Sequence, residues 1–589
     1  MKKILSLIAL LLIAFGLIGC ENGSLVLTTA EQGATTKAGG NDTTVTNGGE
    51  TTTKAAETST TAEPTTTKKI TTKSPQAALI DGIELTEGDQ YTLNFWHIWG
   101  AQKSAVLDEL LLEFKNYMKD VYGVTVSITS TSQSNYATLL DKTKTAIASG
   151  DNSNIPNIVI GYPDHFADYL KSGKIVALDK YIDSDNYGVD RDDFIQAYME
   201  ENNQFGGYTY SLPLSKSEEI MVYNKSALDA FGYTIPYDEP MTWFDLYELW
   251  NKETEIKVIN SETGEPEIDE ETGEEKTIVT SLAEYDQYYA QFKYLCNYDS
   301  TDNMFINFAR QWKAPYTTSA GELLVTDNRT VQMLTYLEQV FQAGFLSVPL
   351  NYADTASYGS EYFQQQQMPF TIGSTAGVSY DVPTAISADV KYLFEACIAM
   401  VPQMTTDKDD DKYSMSVVQQ GPNIAILDAG SDEEDLVAWL LIKYLTTMEQ
   451  YSPDDSGAND KGFVDGQNNS ARFGISTGYF PVTYSAYESA LYTDYMSIGK
   501  QYFENGYSTE GFTPAQKAKL LNSQVAYVSY LQSGWLRYDP AFAATSSLFG
   551  SAYIRQQAGT CIEKVAKTPT YDAATALREL LDACTIAVG

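Results

Sequence analysis

The chain has 589 residues and a formal net charge of −39, because 78 acidic residues outnumber 39 basic ones. This excess of negative charge argues against binding to nucleic acid or adsorption on anionic lipid, since both require a basic surface. The sequence contains two histidines, His97 and His165. A catalytic triad or a histidine-rich metal site would have to use one of them.

The first twenty residues have the pattern of a secretory signal. Lys2 and Lys3 precede an apolar run that is shorter than a typical transmembrane helix. The run ends in Leu-Ile-Gly-Cys at residues 17–20, which resembles the lipobox of bacterial lipoproteins. The resemblance implies that residues 1–19 are removed as a signal peptide and that Cys20 is acylated. The protein would then be anchored by lipid on the outer face of the bacterial cytoplasmic membrane.

A linker is predicted over residues 20–88. Most of this segment is rich in Thr, Gly, Ser, Ala and Lys, and large apolar side chains are rare in it. Such a composition cannot bury enough apolar surface to offset the loss of conformational entropy on folding. We expect a disordered tether; a flexible coil of about 65 residues would span roughly 45 Å.

From residue 89 the pattern is that of a globular α/β domain. Buried-strand patterns occupy 91–99, 124–131 and 155–162, and amphipathic helical patterns follow each of them. Strands that alternate with helices predict a parallel sheet with helices on both faces. Ligands of such sheets bind beyond the carboxyl ends of the strands, which here fall at 97–100, 132–136 and 161–164.

No motif of a common enzyme class is present in the sequence. Neither histidine stands in a GxSxG or HExxH context, and no Walker loop or strand-linked GxGxxG occurs. The cysteines of the folded part (Cys296, Cys397, Cys561 and Cys584) form no CxxC pair, which argues against a zinc or redox site. Both a disulfide and buried thiols stay open. We predict no catalytic residue, metal or cofactor, although a glycoside hydrolase needs only two carboxylates.

Ordered segments along residues 89–589 carry a family resemblance. They include FWHIWG (95–100), IPNIVIGYPDHFADYLKSG (155–173), YSLPLSKSEEIMVYNKSALDAFG (210–232) and STGYFPVTYSAYE (476–488). This set resembles the family 1 extracellular solute-binding proteins of ABC importers, of the maltose- and glycerol-phosphate-binding type. The resemblance covers nearly the whole folded part.

The resemblance implies a two-lobed periplasmic-binding-protein-like clamp of type II, an α/β fold. Each lobe would be a mainly parallel sheet flanked by helices, with a hinge between them. Lobe 1 would comprise about 89–220 plus 400–445, and lobe 2 about 221–399 plus 446–589, with crossings near 221–224 and 399–403. Closure of such a hinge is driven by a ligand that contacts both lobes only in the closed state.

Sugars present apolar CH faces and hydroxyl groups, so their sites combine aromatic platforms with polar partners. The resemblance places aromatic ligand contacts at Trp99, Tyr136, Tyr162, Trp312 and Tyr479, with core packing as the alternative for each. It places polar contacts at Asp164, Ser215, Ser217 and Ser374, and a close approach of backbone to ligand at Gly421. His97 is expected to pack beneath the cleft and His165 to lie at its rim.

One position bears on the class of ligand. Glycerol-phosphate binders of this family hold the phosphate with an arginine shortly before the C-terminal helix. The corresponding stretch of this chain has Ser547 or a neighbour at that position, and the nearest basic residue is Arg555. Phosphate requires a charge-assisted donor or a helix N-terminus.

We therefore expect a monomer that binds a neutral di- or oligosaccharide and delivers it to ABC permease subunits. The alternatives are a glycerol phosphate or phosphodiester ligand, a surface glycoside hydrolase and a polysaccharide-binding adhesin.

Overall fold

The computed structural model describes most of the chain from residue 73 onwards. The described ranges are 73–202, 206–260, 265–287, 290–318, 322–356, 358–387, 390, 392–535, 537–540, 551–568 and 571–588. The predicted signal peptide, the acylation site at Cys20 and most of the linker lie outside these ranges.

The strands, in chain order, are β1 Gln90–His97, β2 Thr125–Ser132, β3 Ile158–Gly161, β4 Leu212–Pro213, β5 Ser217–Asn224, β6 Thr254–Lys257, β7 Thr277–Thr280, β8 Asp286–Gln287, β9 Ala290–Gln291, β10 Cys296–Tyr298, β11 Leu346–Ser347, β12 Phe370–Ser374, β13 Ala396–Ala399, β14 Ser416–Gln420, β15 Asn423–Ile426, β16 Glu449–Tyr451, β17 Phe463–Asn468 and β18 Arg537–Pro540.

The α-helices are α1 Ala77–Asp81, α2 Ala101–Tyr122, α3 Tyr136–Ala148, α4 Pro163–Leu170, α5 Asp179–Ile182, α6 Gln196–Asn202, α7 Lys225–Ala230, α8 Trp243–Asn251, α9 Thr301–Gln311, α10 Asn328–Gln342, α11 Ser360–Gln364, α12 Asp432–Thr447, α13 Asn469–Thr477, α14 Tyr484–Tyr487, α15 Ala490–Glu504, α16 Pro514–Trp535, α17 Ser551–Lys567 and α18 Ala573–Val588. Within the described ranges, no helix is both long enough and apolar enough to cross a membrane.

The first large sheet has the strand order β2-β1-β3-β15-β4. β1 pairs in parallel with β2 and β3, as the alternation of strands and helices predicted, whereas β15 is antiparallel to β3 and β4. Every second residue of β1 is buried, including Leu93 and Phe95, because alternate side chains of a strand point to the same face. Helices α2 and α12 pack on this sheet. We call this body lobe 1.

The second large sheet has the order β11-β10-β12-β5-β14-β18, and β13 also pairs with β5. All eight residues of β5 are buried, which fits a strand at the centre of the sheet. Helix α9 packs beside β14, α16 packs beside β13, and α17 packs on α9. We call this body lobe 2.

Both sheets are mixed, which differs from the mainly parallel sheets that were expected. β5 is antiparallel to β12, β13 and β14. β5 and β15 each enter their sheet directly from the other lobe, without the crossover helix that a parallel connection requires. The two passages run side by side in opposite directions between the lobes, so β5 pairs antiparallel with β14 and β15 pairs antiparallel with β4.

The chain passes between the lobes at other positions than those expected. The first passage is Leu214–Lys216, between β4 and β5, and the second is Gly421–Pro422, between β14 and β15. The expected crossings at 221–224 and 399–403 lie inside β5 and at the end of β13, both strands of lobe 2. Residues 469–477 (α13) pack on α2 and α12 of lobe 1, although this region was assigned to lobe 2.

Residues 74–88 belong to the folded domain, which was expected to start at about residue 89. Ile80 of α1 is buried in the core of lobe 1. The Ser74 backbone N donates to Asp183 Oδ2 at 2.7 Å, and Asp81 Oδ1 accepts from the Asn186 backbone N at 3.0 Å. Residues 74–88, assigned to the linker from composition, are therefore fixed to the domain by an apolar anchor and by hydrogen bonds.

Buried thiols, rather than a disulfide, are found at the four cysteines of the folded part. Burial raises the pKa of the Cys561 thiol to about 12 and that of Cys584 to about 11. The sequence left these alternatives open, and the structure decides between them. The protonated thiols act as small apolar side chains of the core.

Candidate ligand-binding site

A cavity of about 810 Å³ opens between the two lobes. Its lining comes from the carboxyl end of β1, the first residues of α3, the residue before α4, the loop after β10, the end of β12 and the passages between the lobes. Seven of the predicted contact residues line it: Trp99, Tyr136, Tyr162, Ser217, Ser374, Gly421 and Tyr479. The cavity thus lies at the strand ends from which the sequence placed a ligand.

Aromatic side chains form the lobe 1 wall. Trp99 follows β1; its ring stacks on His97 with the centroids 5.3 Å apart, and its Nε1 donates to the Tyr479 hydroxyl at 3.3 Å. Tyr136 opens α3 and Tyr162 precedes α4, and their ring centroids are 4.2 Å apart. Because these rings hold one another in place, the wall is preorganised for a ligand.

The passages between the lobes form the floor of the cavity. Gly421 has a φ of 111°, and a Cβ at this position would lie 2.5 Å from the Ser215 carbonyl oxygen. The glycine is required because the two passages cross in close contact, not only because a ligand approaches its backbone. Lys216, the last residue of the first passage, is buried and forms an ion pair with Glu201. Ser217, the first residue of β5, lines the cavity.

The lobe 2 wall contains residues that sequence reasoning missed. Beside the predicted Ser374, it presents Asp299, Tyr358, Tyr380 and Asp381. The Tyr358 and Tyr380 side chains are 68% and 52% exposed, so their ring faces are accessible to a ligand. Tyr380 ends the 3₁₀ helix that begins at the predicted turn around Ser374, and Asp299 directly follows β10. Asp299 stands at a strand end, as Trp99 does, but β10 has only three residues and shows no strand period in the sequence, so the strand-end rule could not be applied to it.

Acidic groups outnumber basic groups on the cavity lining. The carboxylates are Asp299, Asp302, Asp381 and Glu563, and Lys103 is the one basic residue among the described lining residues. Burial lowers the pKa of Lys103 to about 8, and its Nζ donates to the Ala376 carbonyl oxygen at 2.6 Å across the cleft. An anionic ligand would therefore meet an excess of negative charge.

Asp164 does not line the cavity. Its fully buried carboxylate accepts a hydrogen bond from Arg555 Nε at 3.1 Å, and Arg555 also pairs with Asp302. Arg555 lies inside α17. In this structure Asp164 makes a contact between the lobes, and its role as an acceptor for ligand hydroxyls stays a prediction.

Ser215 and Trp312 are not among the described residues that line the cavity, although Ser215 lies in the passage that forms its floor. The Ser215 hydroxyl is buried without a hydrogen-bond partner among the described residues. The Trp312 ring packs against Tyr336, Tyr413 and the Arg329 guanidinium, at centroid distances of 5.4, 5.3 and 4.9 Å. Trp312 therefore packs in the core of lobe 2, which was the alternative to a ligand contact, because it follows the end of α9 and its ring lies among these residues.

Both histidines are buried and neutral. Burial lowers the pKa of His97 and of His165 to about 4. His97 Nε2 lies 2.9 Å from Ser130 Oγ, and His165 Nδ1 accepts from the Tyr162 backbone N at 3.4 Å. His97 thus packs beneath the cleft, and His165 fixes the backbone of an aromatic residue of its wall.

The chain belongs to the bacterial extracellular solute-binding proteins: the model of that family matches residues 114–453, more than half of the chain. The resemblance seen in the sequence is confirmed.

Solved structures share the two-lobed fold. UgpB from Mycobacterium tuberculosis, in complex with glycerophosphocholine, is 17% identical with a TM-score of 0.55, over 84% of this chain and 98% of that chain. The ABC substrate-binding protein Lmo0181 from Listeria monocytogenes, in complex with cycloalternan, is 14% identical with a TM-score of 0.55, over 85% and 99%. MalE from Bdellovibrio bacteriovorus, bound to maltotriose, is 14% identical with a TM-score of 0.53, over 84% and 99%. At these identities the likeness establishes the fold.

Proposed function

We propose that this solute-binding protein captures a carbohydrate of di- or oligosaccharide size in the cavity between its lobes and delivers it to an ABC permease. The observation that carries the proposal is the cavity of about 810 Å³, lined from both lobes by aromatic rings and by hydroxyl and carboxylate groups. This volume lies in the usual range of small-molecule sites. Aromatic faces bind the CH surfaces of sugars, and the polar groups bind their hydroxyls.

We infer that the ligand is captured by closure of the two lobes around it. Lobe 1 contributes Trp99 and Tyr136, lobe 2 contributes Tyr358 and Tyr380, and the lobes are joined by the short passages around Gly421. A ligand that touches both walls favours the closed arrangement by the difference of its affinity between the two states. No chemical step on the sugar is needed for this role.

A carbohydrate without a phosphate group is favoured over a phosphorylated one. Arg555, the basic residue closest to the position that holds phosphate in glycerol-phosphate binders, is engaged by Asp164 and Asp302. The carboxylates of the lining would repel an anion. Of the three solved structures named above, two carry cycloalternan or maltotriose and one carries glycerophosphocholine, so both classes of ligand belong in a test.

The membrane anchor is a separate part of the proposal. We infer that Cys20 is acylated and holds the monomeric receptor on the outer face of the membrane, close to the permease. Mass spectrometry of protein extracted from membranes should find a peptide that begins with acylated Cys20. A mature N-terminus at another residue would contradict the anchor and leave the ligand proposal intact.

A thermal-shift screen tests the ligand. The purified chain is heated with neutral mono- and oligosaccharides, sugar phosphates and glycerophosphodiesters, and the solute is analysed afterwards. A ligand at 100-fold above its dissociation constant should add about 2.7 kcal/mol to the free energy of unfolding. Stabilisation by a sugar that is recovered unchanged supports the proposal. Stabilisation by phosphorylated compounds alone, or cleavage of the sugar, would overturn it.

A further inference from the structure

Two carboxylates of the lobe 2 wall, Asp299 and Asp381, form no ion pair with a basic side chain in the part of the chain that the structure describes. Asp381 is 6% exposed and lines the cavity, and its carboxylate makes no hydrogen bond or ion pair with any described residue. Asp299 lines the same cavity, and its charge acts on Asp381; its Oδ1 accepts from the Gly359 backbone N at 2.6 Å and from Asn297 Nδ2 at 2.9 Å. Buried carboxylates are normally paired, and Asp381 is an exception to this rule.

Nearby basic side chains are committed elsewhere. Lys103 Nζ donates to the Ala376 carbonyl oxygen and lies 5.1 Å from the centre of the Tyr479 ring, and Arg555 holds Asp164 and Asp302. Burial raises the pKa of Asp381 well above its usual range, and the charge of Asp299 raises it further. Burial also raises the pKa of Asp299. A positive charge placed between these two groups would be stabilised by both.

We propose that Asp299 and Asp381 form a subsite for a protonated amino group on the bound carbohydrate, which makes the ligand an amino sugar or an oligosaccharide that contains one. This inference rests on the proposed function, because it names a feature of the ligand of the same cavity. The exposed rings of Tyr358 and Tyr380 stand on the same wall. They supply an apolar platform for the sugar that carries the amine. Lys103 Nζ lies 5.9 Å from the centre of the Tyr380 ring, so the Tyr358 ring is the one that we expect to attract the charge of the amine.

A primary ammonium fits the pair better than the other cations do. Its N–H groups donate to the free carboxylate oxygens of Asp381, which a quaternary ammonium cannot do. A metal ion would require more ligands: the described residues contain no group of three or more His, Cys, Asp or Glu side chains that could hold one. A hydroxyl group would supply a hydrogen bond without a positive charge, so it would gain less from the pair than an ammonium group does.

Calorimetric titration of the full chain with matched sugars tests the subsite. Glucosamine, galactosamine, mannosamine and β-1,4-linked glucosamine oligomers are each compared at pH 7 with the counterpart that carries a hydroxyl group, and choline serves as the quaternary ammonium. We expect at least one amine to bind about tenfold more tightly than its hydroxyl counterpart, as a charge-assisted hydrogen bond implies. Choline should bind no better than the neutral sugars.

The variants Asp381→Asn and Asp299→Asn, measured separately, should bring the ratio of amine to hydroxyl affinity close to one. Asp409→Asn, in an exposed loop, is the matched control and should keep the ratio of the native chain. Melting curves of the ligand-free variants verify that they fold; since Asp299 also holds the Gly359 backbone, Asp381→Asn is the cleaner substitution.

The outcomes separate the two proposals. If neutral sugars bind and no amine binds better than its counterpart, the subsite is overturned and the carbohydrate receptor stands. An amine preference that survives Asp381→Asn and Asp299→Asn overturns the subsite as well. If no sugar of either kind binds, the subsite and the proposed carbohydrate ligand both fail.

Discussion

Arg555 of α17 in lobe 2 donates a hydrogen bond to Asp164 of α4 in lobe 1, with 3.1 Å between Nε and Oδ2. The same guanidinium pairs with Asp302, and its Cζ lies 5.3 Å from the centre of the Tyr162 ring. A buried ion pair therefore joins the lobes beside the cavity and supports one of its aromatic residues. The ion pair between Arg555 and Asp164 thus joins the lobes in addition to the two chain passages.

Arg555→Gln should lower the free energy of unfolding by about 3–5 kcal/mol, because it leaves the buried Asp164 carboxylate without its partner. Urea unfolding followed by tryptophan fluorescence measures the change. Lys500→Gln, which breaks an exposed pair with Glu504 at 3.6 Å, is the control and should cost at most about 1 kcal/mol.

The double variant Arg555→Gln/Asp164→Asn should recover part of the loss, since it removes the unpaired charge as well. Equal losses for Arg555→Gln and Lys500→Gln, or no recovery in the double variant, would show that the pair contributes little to holding the lobes.

Gly421→Ala should destabilise the passage between the lobes. Its φ of 111° is a conformation that L-residues rarely adopt, and the new methyl group would lie 2.5 Å from the Ser215 carbonyl oxygen. We expect a loss of at least about 1–3 kcal/mol in the free energy of unfolding. Gly100→Ala is the matched control, because Gly100 also lines the cavity, has a φ of −72° and leaves open space within 4 Å of the position that a Cβ would take. Similar losses at the two glycines would mean that the close crossing of the passages is not the reason for glycine at 421.

The lobe 1 wall could be predicted from the sequence because its residues are local in the chain. Trp99, Tyr136 and Tyr162 each stand at the junction of a strand and the following helix, or at the start of that helix. The hydrophobic pattern locates these junctions, and the geometry of a parallel sheet brings them to one edge. A single rule therefore found three residues that lie far apart in the sequence.

The lobe 2 wall could not be predicted in this way. Asp299 follows a strand of three residues, Cys296–Tyr298, that is too short to show a period, and Tyr380 ends a 3₁₀ helix. These residues come together only through the pairing of β10 with β12. The crossings were expected at other positions for a related reason. β5 and β13 are both buried strands, and only the strands with which they pair show to which sheet they belong.

Tyr380→Ala and Trp312→Ala should separate binding from packing. Tyr380 is half exposed on the cavity wall, so its loss should weaken binding of the best sugar from the screen by about 1–2 kcal/mol, with little effect on stability. Trp312 is packed in lobe 2, so its loss should cost about 3–5 kcal/mol of stability and leave the affinity of the folded protein nearly unchanged. Calorimetric titration and urea unfolding measure the two quantities. The opposite pattern would restore Trp312 as a ligand contact.

Glu219 should make the stability of the protein depend on pH. Its fully buried carboxyl lies in β5, where burial raises its pKa to about 8 although it accepts a hydrogen bond from the Tyr298 hydroxyl. The native state therefore keeps a proton that the unfolded state releases above the ordinary pKa of 4.5. The contribution of the protonated carboxyl to the free energy of unfolding is fully present below pH 4.5 and is lost as the pH rises to about 8.

Glu219→Gln keeps the shape of the neutral side chain and cannot ionise. The variant should therefore gain stability relative to the native chain as the pH rises from 5 to about 8, and the difference should level off above that pH. Urea unfolding at closely spaced pH values measures this difference, and contributions from His97 and His165 cancel in it. Glu248→Gln, at an exposed position of α8, should give a curve parallel to that of the native chain. If the Glu219→Gln curve is parallel as well, the carboxyl of Glu219 is not held neutral by burial, and the centre of lobe 2 admits more water than its packing indicates.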